Sequence, residues 1–227
     1  MHLPISDKIE LNILHQNSHQ AEENKVKFNN YNLLCLNIMS SPGAGKTRLL
    51  EITLEDLSKK FHSAVLEGDM TTNLDAARLE KLNIPVVPIT TGRACHLDAN
   101  MVSGGLKLLE KKINPDSLDI LLVENVGNLV CPAEFEIGEH FKVALLSITE
   151  GEDKPLKYPI MFREADLILI TKVDLLPHLN FDINELKSNI ASTNPKADVI
   201  EISSITKSGF DLWQDWISKK ILKFKNN

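Results

Sequence analysis

The 227-residue chain is 43 % hydrophobic and 25 % charged, the mixture of a globular protein large enough for one α/β domain with its own core. Its 25 basic and 31 acidic residues leave a net charge of −6, which excludes a broad basic face for gripping nucleic acid. No apolar run approaches the roughly 18 residues of a membrane span; three cysteines and no visible export signal predict reduced thiols and a cytoplasmic protein.

Residues 1–31 are polar and rich in Asn, Gln and Glu. Ile5, Ile9 and Ile13 recur there at helical spacing, predicting one amphipathic helix that leads into a domain over residues 32–227. Leu33 to Met39 is a short apolar run without alternation, which suits a strand buried on both faces. A helical pattern follows through Leu49, Leu50, Thr53, Leu54 and Leu57. Strands are predicted over 64–66, 85–89, 120–123, 143–148, 167–170 and 199–202, with helices over 74–82, 97–109, 186–190 and 212–222. Repeated strand–helix units imply a three-layer α/β domain with a mostly parallel sheet.

Between the first strand and its helix lies Ser40-Ser41-Pro42-Gly43-Ala44-Gly45-Lys46-Thr47, a P-loop with Ser40 where the first Gly is usual. Such a loop needs small residues, because its backbone N–H groups wrap around phosphate oxygens. Gly43, Ala44 and Gly45 meet that need, and the N-terminus of the next helix adds free amides and partial positive charge. Lys46 is then the ligand of the β- and γ-phosphates, Thr47 a Mg²⁺ ligand, and Arg48 a further nucleotide contact.

Thr171-Lys172-Val173-Asp174 follows directly on an apolar strand, at the edge where doubly wound sheets bind ligands. The Asp174 carboxylate matches the two adjacent donors of guanine and would repel the N1 acceptor of adenine, and the stem of Lys172 can lie over the base. Ser203 and Ser204, after the last strand, fit a weaker guanine-contact loop. GTP is therefore the expected nucleotide. Glu124 ends another strand and opens Glu124-Asn125-Val126-Gly127, in the place of a DxxG switch. Glu124 is the expected second Mg²⁺ residue, and the Gly127 amide the sensor of the γ-phosphate. Asp69 and Asp75 are candidates for Mg²⁺ ligation or for orienting the attacking water, against a plainer reading as helix caps. No Gln stands just after Gly127, which predicts slow intrinsic hydrolysis.

A second constellation is of another kind. Cys95-His96 and Cys131 lie in two strand-to-helix connections at one edge of the expected sheet. Two thiolates and an imidazole suit Zn²⁺ or Ni²⁺ rather than Mg²⁺. Three ligands do not close a tetrahedral site, so it stays open or a symmetric partner completes it. The plainer alternative is two small buried residues and a surface His, since no CxxC pattern is present. Against it, Cys131 falls four positions after Gly127, so a switch that moves with the γ-phosphate would drag a metal ligand with it. Cys35, inside the first strand, reads as core.

Together SSPGAGKT, the Glu-Gly-Asp segment, TTGRACHLDA, LLVENVGNLVCPAEF, TEGEDKPLKYPIMF and TKVDLL resemble the hydrogenase nickel-incorporation GTPases, the HypB family, from about Leu33 to Gly209. The resemblance implies a P-loop NTPase of the signal-recognition and MinD-like (SIMIBI) class. It implies a homodimer formed with GTP that helps load nickel into nickel–iron hydrogenase, with the hydrogenase large subunit and a nickel- or zinc-binding accessory chaperone as partners. It further implies interface metal ligands at Cys95, His96 and Cys131, and dimer-facing positions at Leu175 and Leu179. Its dimer-dependent catalytic lysine maps onto Lys157, with Lys154 second. Read alone, the lysines are surface charge and the leucines core.

One departure concerns residues 1–31, which hold no Cys and only His2, His15 and His19, whereas many relatives carry CxxCGC or a His-rich tract there. Tight nickel storage in this segment is therefore not expected, which leaves it free to serve as a docking helix. The urease-maturation GTPases pair their ligands in a Cys-Pro-His triplet, unlike the adjacent Cys95-His96. A zinc-stapled structural dimer would bind metal indifferently to nucleotide. An ATP-dependent small-molecule kinase would have no use for Asp174.

Overall fold

A computed structural model describes residues 5–226, with side chains from residue 12 onward. In chain order the elements are α1 (Ile5–Asn30), β1 (Leu34–Ser40), α2 (Lys46–Leu57), β2 (Ser63–Asp69), α3 (Leu74–Glu80), β3 (Val86–Thr90), α4 (Ala99–Lys112), β4 (Ile120–Glu124), α5 (Cys131–Glu134), β5 (Phe141–Ser147), α6 (Lys154–Lys157), α7 (Pro159–Arg163), β6 (Leu167–Thr171), α8 (Ile183–Thr193), β7 (Asp198–Ile202) and α9 (Phe210–Lys225). The seven strands form one sheet in the order β3-β2-β4-β1-β5-β6-β7, and every pairing is parallel. Strand β1 sits at the centre, between β4 and β5, and all seven of its residues are buried. The run that lacked alternation is thus a strand with helices on both sides.

On one face Leu34, Leu36 and Ile38 meet Leu49, Leu50 and Leu54 of α2 and Trp213 and Ile217 of α9. On the other face Cys35 packs with Phe28 of α1 and with Leu106 and Leu109 of α4, while Met39 packs toward Met161 of α7 and Leu186 of α8. Cys35 is fully buried, as its place in the strand requires. Trp213, also fully buried, satisfies its indole by donating from Nε1 to Thr53 Oγ1 at 2.8 Å.

The structure corrects the sequence reading in three places. Ile13 is 51 % exposed, so the isoleucine spacing does not mark the packing face of α1; Ile5 and Ile9 have side chains outside the described residues. The face that packs is Asn17, Ala21, Asn24 and Phe28. The helix predicted to begin at Leu97 begins at Ala99, because Asp98 caps it by accepting from the Met101 amide at 2.7 Å. Three short helices, α5 to α7, occupy a stretch without an apolar period, each with a proline in its first turn.

Candidate nucleotide and metal sites

The parallel sheet brings the C-terminal ends of β1, β2, β4, β6 and β7 to one edge, and the sequence-predicted nucleotide residues gather there. Gly43 and Gly45 bend the loop after β1 with φ of +76° and +101°, and α2 starts at Lys46. The Lys46 side chain is buried and donates from Nζ to Ser40 Oγ at 2.9 Å. Ser40 thus gives that ammonium a partner where a glycine would give none. Burial holds the Lys46 pKa below its ordinary value, with Glu124 opposing the shift.

The loop after β6 closes over the loop after β1. Thr171 Oγ1 donates to the Ala44 carbonyl and Lys172 Nζ to the Gly43 carbonyl, each at 2.8 Å. Lys172 takes a left-handed φ of +61°, which turns the chain into a 3-10 helix carrying Asp174. Ser203 Oγ donates to Asp174 Oδ1 at 2.5 Å and accepts from the amides of Ile205 and Thr206, fixing the carboxylate. Ser204, next to it, is half-buried and points to no partner among the hydrogen bonds of this loop.

A cavity of about 420 Å³ lies between the β1 loop and the ends of β2 and β4. Lys46, Thr47, Arg48, Asp69, Asp75, Glu124 and Gly127 all line it. Thr47 Oγ1 donates to Glu124 Oε1 at 2.7 Å, while Glu124 Oε2 is buried without a partner. Burial pushes the Glu124 carboxyl up to about 7. Gly127 leaves no room for a side chain, since a Cβ there would come within 2.9 Å of Pro42 Cα.

Two acids of this cavity behave differently. Asp69 is tied up within its own turn, accepting from the Met70 and Thr72 amides and the Thr72 hydroxyl. Asp75 faces Arg78, whose Nη1 donates to its Oδ1 at 2.9 Å. Neither residue caps α3, which begins after Asn73. Arg78 also grips Glu51 with two bonds of 2.9 Å, and Arg48 joins the same carboxylate at 3.0 Å.

Sequence reasoning missed Glu67, Arg78 and Glu51. Glu67 stands directly across from Glu124 in the β2–β4 register, is 2 % exposed, and has a buried Oε2 without a partner. Burial and the neighbouring Glu124 push it up to about 8. The sequence offered one signal, a glutamate directly after the apolar run Ala64 to Leu66, while its place opposite Glu124 follows from strand order. Arg78 and Glu51 gave no such signal, because their partnership spans two helices.

The second cluster forms from two loops far apart in sequence. Cys95 Sγ lies 2.8 Å from Cys131 Sγ and 3.8 Å from His96 Nδ1, and the three ligand atoms fall within 4.8 Å of one another. All three residues are half-buried. The His96 ring rests 4.1 Å from that of Phe135, and burial holds its pKa below the ordinary value, which favours the neutral, ligating imidazole. Two sulfurs and a ring nitrogen form a donor set for a borderline or soft divalent ion.

The cluster is also tied to the nucleotide edge. Asn128 donates from its backbone N to the Ser40 carbonyl at 2.7 Å and from Nδ2 to the Cys95 carbonyl at 3.3 Å. Asn125 Oδ1 accepts from the Leu97 amide at 2.9 Å.

The remaining candidates lie outside the cavity. Lys157 is exposed on α6 and pairs with Asp153; Lys154 sits 5.3 Å from the Tyr158 ring centre. Leu175 is half-buried and Leu179 is 40 % exposed, at the end of the 3-10 helix that carries Asp174. Among the described residues no helix is long and apolar enough to cross a membrane.

A central strand, a glycine-bent loop and a helix that opens on Lys46 and Thr47 define a P-loop nucleotide-binding protein of the doubly wound α/β class. Residues 34–201 match the family described as "CobW/HypB/UreG, nucleotide-binding domain". The chain is 48 % identical over 215 residues to a hydrogenase maturation factor HypB of Azotobacter vinelandii, covering 94 % of this chain and 69 % of that one. It superposes with a TM-score of 0.87 on the crystal structure of HypB from Helicobacter pylori in complex with nickel, at 40 % identity, covering 92 % of this chain and 96 % of that one. A signal recognition particle 54 kDa protein of Aeropyrum pernix, solved with GDP, shares the fold alone: 10 % identity, TM-score 0.53, 75 % of this chain and 41 % of that one. The chain belongs to the HypB family of hydrogenase maturation factors.

Proposed function

We propose that this protein binds and hydrolyses GTP and uses the cycle to time the delivery of nickel to a nickel–iron hydrogenase. The observation that carries the proposal is Asn128, which bonds the phosphate loop at Ser40 with one nitrogen and the metal loop at Cys95 with the other. The hydrogenase large subunit as recipient, and an accessory nickel- or zinc-binding chaperone as a further partner, rest on family membership. The nickel in the related Helicobacter pylori structure supports the choice of metal.

Asp174, held by Ser203, reads the guanine edge, with Lys172 and Ser204 beside the base. Gly43, Ala44, Gly45 and Lys46 receive the phosphates, with Arg48 at the rim. Thr47 and Glu124 suit a Mg²⁺ ion: a hydroxyl and a carboxylate meet there, and a buried carboxylate oxygen lacks a partner. When bound, that ion neutralises charge on the β- and γ-phosphate oxygens. Asp75 is the better placed acid for orienting water, since both oxygens of Asp69 are engaged within its turn. The Gly127 amide senses the γ-phosphate, packed as it is against Pro42.

Lys157, with Lys154 as the alternative, reaches no nucleotide residue of its own chain. Its catalytic part belongs to a GTP-dependent homodimer in which it meets the partner's nucleotide, with Leu175 and Leu179 at the interface. Cys95, His96 and Cys131 hold nickel, zinc or both, with nickel as the cargo. Three ligands leave a coordination position open for transfer or for a second copy.

The decisive experiment is a nickel-binding isotherm on reduced, tag-free protein, with GDP and with a non-hydrolysable GTP analogue. Affinities differing tenfold or more, about 1.4 kcal/mol of coupling, are expected. Equal affinities would mean that the metal is a fixed staple in an assembly dimer.

A further inference from the structure

The helix that precedes the P-loop domain buries two asparagines. Asn24 is fully buried and Asn17 is 5 % exposed, on the one face of α1 that packs against the protein. Asparagine at such positions costs free energy unless its amide is satisfied, and here both are. Asn17 Nδ2 donates to the Glu136 carbonyl at 2.8 Å, while its Oδ1 accepts from the Ala99 amide at 2.9 Å. Asn24 Nδ2 donates to the Ala99 carbonyl at 2.8 Å and to the Ile137 carbonyl at 3.0 Å.

The four bonds therefore go to two short stretches of backbone. Ala99 opens α4, three residues beyond His96. Glu136 and Ile137 follow α5, which opens on Cys131, and Phe135 in the same stretch packs against the His96 ring. Each asparagine bonds to both stretches at once. Between them α1 is seated at Gly138, where a Cβ would come within 2.5 Å of the Ala21 carbonyl oxygen and 2.7 Å of Asn24 Cβ.

We infer that Asn17 and Asn24 are positioning residues of the metal site: they brace the loop bearing Cys95 and His96 against the segment bearing Cys131, so that α1 sets the spacing of the ligands. The inference rests on the reading of those three residues as the nickel site. A brace of this kind gives the two buried amides a use that a leucine at either position would lack: Asn17 joins a carbonyl of one segment to an N–H of the other, and Asn24 joins a carbonyl of each. Its physical effect is pre-organisation, because ligands held in place need not be ordered when the ion arrives.

The test uses full-length reduced protein and Ni²⁺ in competition with a chromophoric chelator, with GDP bound throughout. Asn17→Leu/Asn24→Leu should lower nickel affinity about tenfold or more and weaken or shift the sulfur-to-nickel charge-transfer band, while GDP affinity stays within twofold. Phe28→Leu loosens the same helix by packing loss alone and should leave the band and the nickel affinity unchanged. Asn17→Ala alone, a milder change, serves if the double variant does not fold, with an intermediate loss expected. Cys131→Ser separates the two ideas: if it does not reduce nickel binding in the parent protein, the site assignment itself fails. If Cys131→Ser abolishes the band but the asparagine variants bind nickel like the parent, or Phe28→Leu lowers affinity equally, the brace is refuted.

Discussion

Lys172 Nζ donates to the carbonyl of Gly43 at 2.8 Å, so the loop that carries Asp174 holds the loop that bends around the phosphates. Thr171 does the same one residue on, at Ala44. The two halves of the nucleotide site are therefore tied to each other. Lys172→Met keeps the aliphatic stem and removes the bond. It should weaken GDP about tenfold, the scale of one charge-assisted hydrogen bond in a partly exposed site. Titration with a fluorescent GDP analogue measures it; unchanged affinity would mean that the clamp is incidental.

In the proposed guanine site, Asp174 is the residue expected to select the base. Its carboxylate accepts from Ser203 on Oδ1 at 2.5 Å, which fixes its orientation. Asp174→Asn exchanges an acceptor for an amide donor, which clashes with the guanine amine and suits the carbonyl of xanthine. GTP affinity should fall by about 1.5–3 kcal/mol, with XTP binding gained. Competition of GTP, XTP and ATP on the variant gives the answer, and loss of all three alike would point to misfolding instead.

The P-loop and its flanking strand were legible because phosphate binding is local: one strand, one turn and one helix carry it within a dozen residues. The Cys–His–Cys cluster was only half legible. Spacing placed Cys95 and Cys131 at one sheet edge, but their approach to 2.8 Å depends on the order in which β3, β2 and β4 lie, which no single segment encodes. The face of α1 was misread for a clear reason. An apolar period is sought for buried faces, whereas this face is built on Asn17 and Asn24, which are buried by hydrogen bonding. Glu67 was passed over similarly, since its proximity to Glu124 comes from strand order rather than from sequence.

His140 predicts how stability responds to acid. Its Nδ1 accepts from the Cys35 amide at 2.9 Å, its Nε2 faces Asn29 Oδ1 at 3.0 Å, and its ring packs against Phe224. Burial, aided by Lys25 on α1, lowers its pKa from 6.5 to about 4. The folded protein thus binds this proton less readily than the unfolded chain. The stabilisation is fully present above pH 6.5 and is lost as pH falls toward 4, with a slope of at most about 1.4 kcal/mol per pH unit for one proton. His140→Asn keeps an acceptor for Cys35 and cannot be protonated. Urea denaturation between pH 7 and 4.5 should show a shallower loss in the variant, and parallel curves would exclude His140 as the group responsible.

Asn128 gives the sharpest test of coupling between nucleotide and metal. Its backbone holds the Ser40 carbonyl at the root of the phosphate loop, and its side chain holds the Cys95 carbonyl beside a metal ligand. The side chain also accepts from the Val130 amide at 2.9 Å and reaches the Cys131 thiol, so Asn128→Ala is read by the ratio of nickel affinities between nucleotide states and not by the intrinsic nickel affinity. If a γ-phosphate displaces the segment from Glu124 to Cys131, the 3.3 Å bond carries part of that displacement to Cys95. Its removal should shrink the ratio of nickel affinities between the GDP state and the GTP-analogue state, by a factor of roughly 2–5 for about 0.5–1 kcal/mol of lost coupling. Because linkage is reciprocal, nickel should shift the affinity for the GTP analogue by correspondingly less in the variant. A ratio equal to that of the parent protein would place the coupling elsewhere, in the covalent connection from Gly127 to Cys131 or in the bond from the Leu97 amide to Asn125.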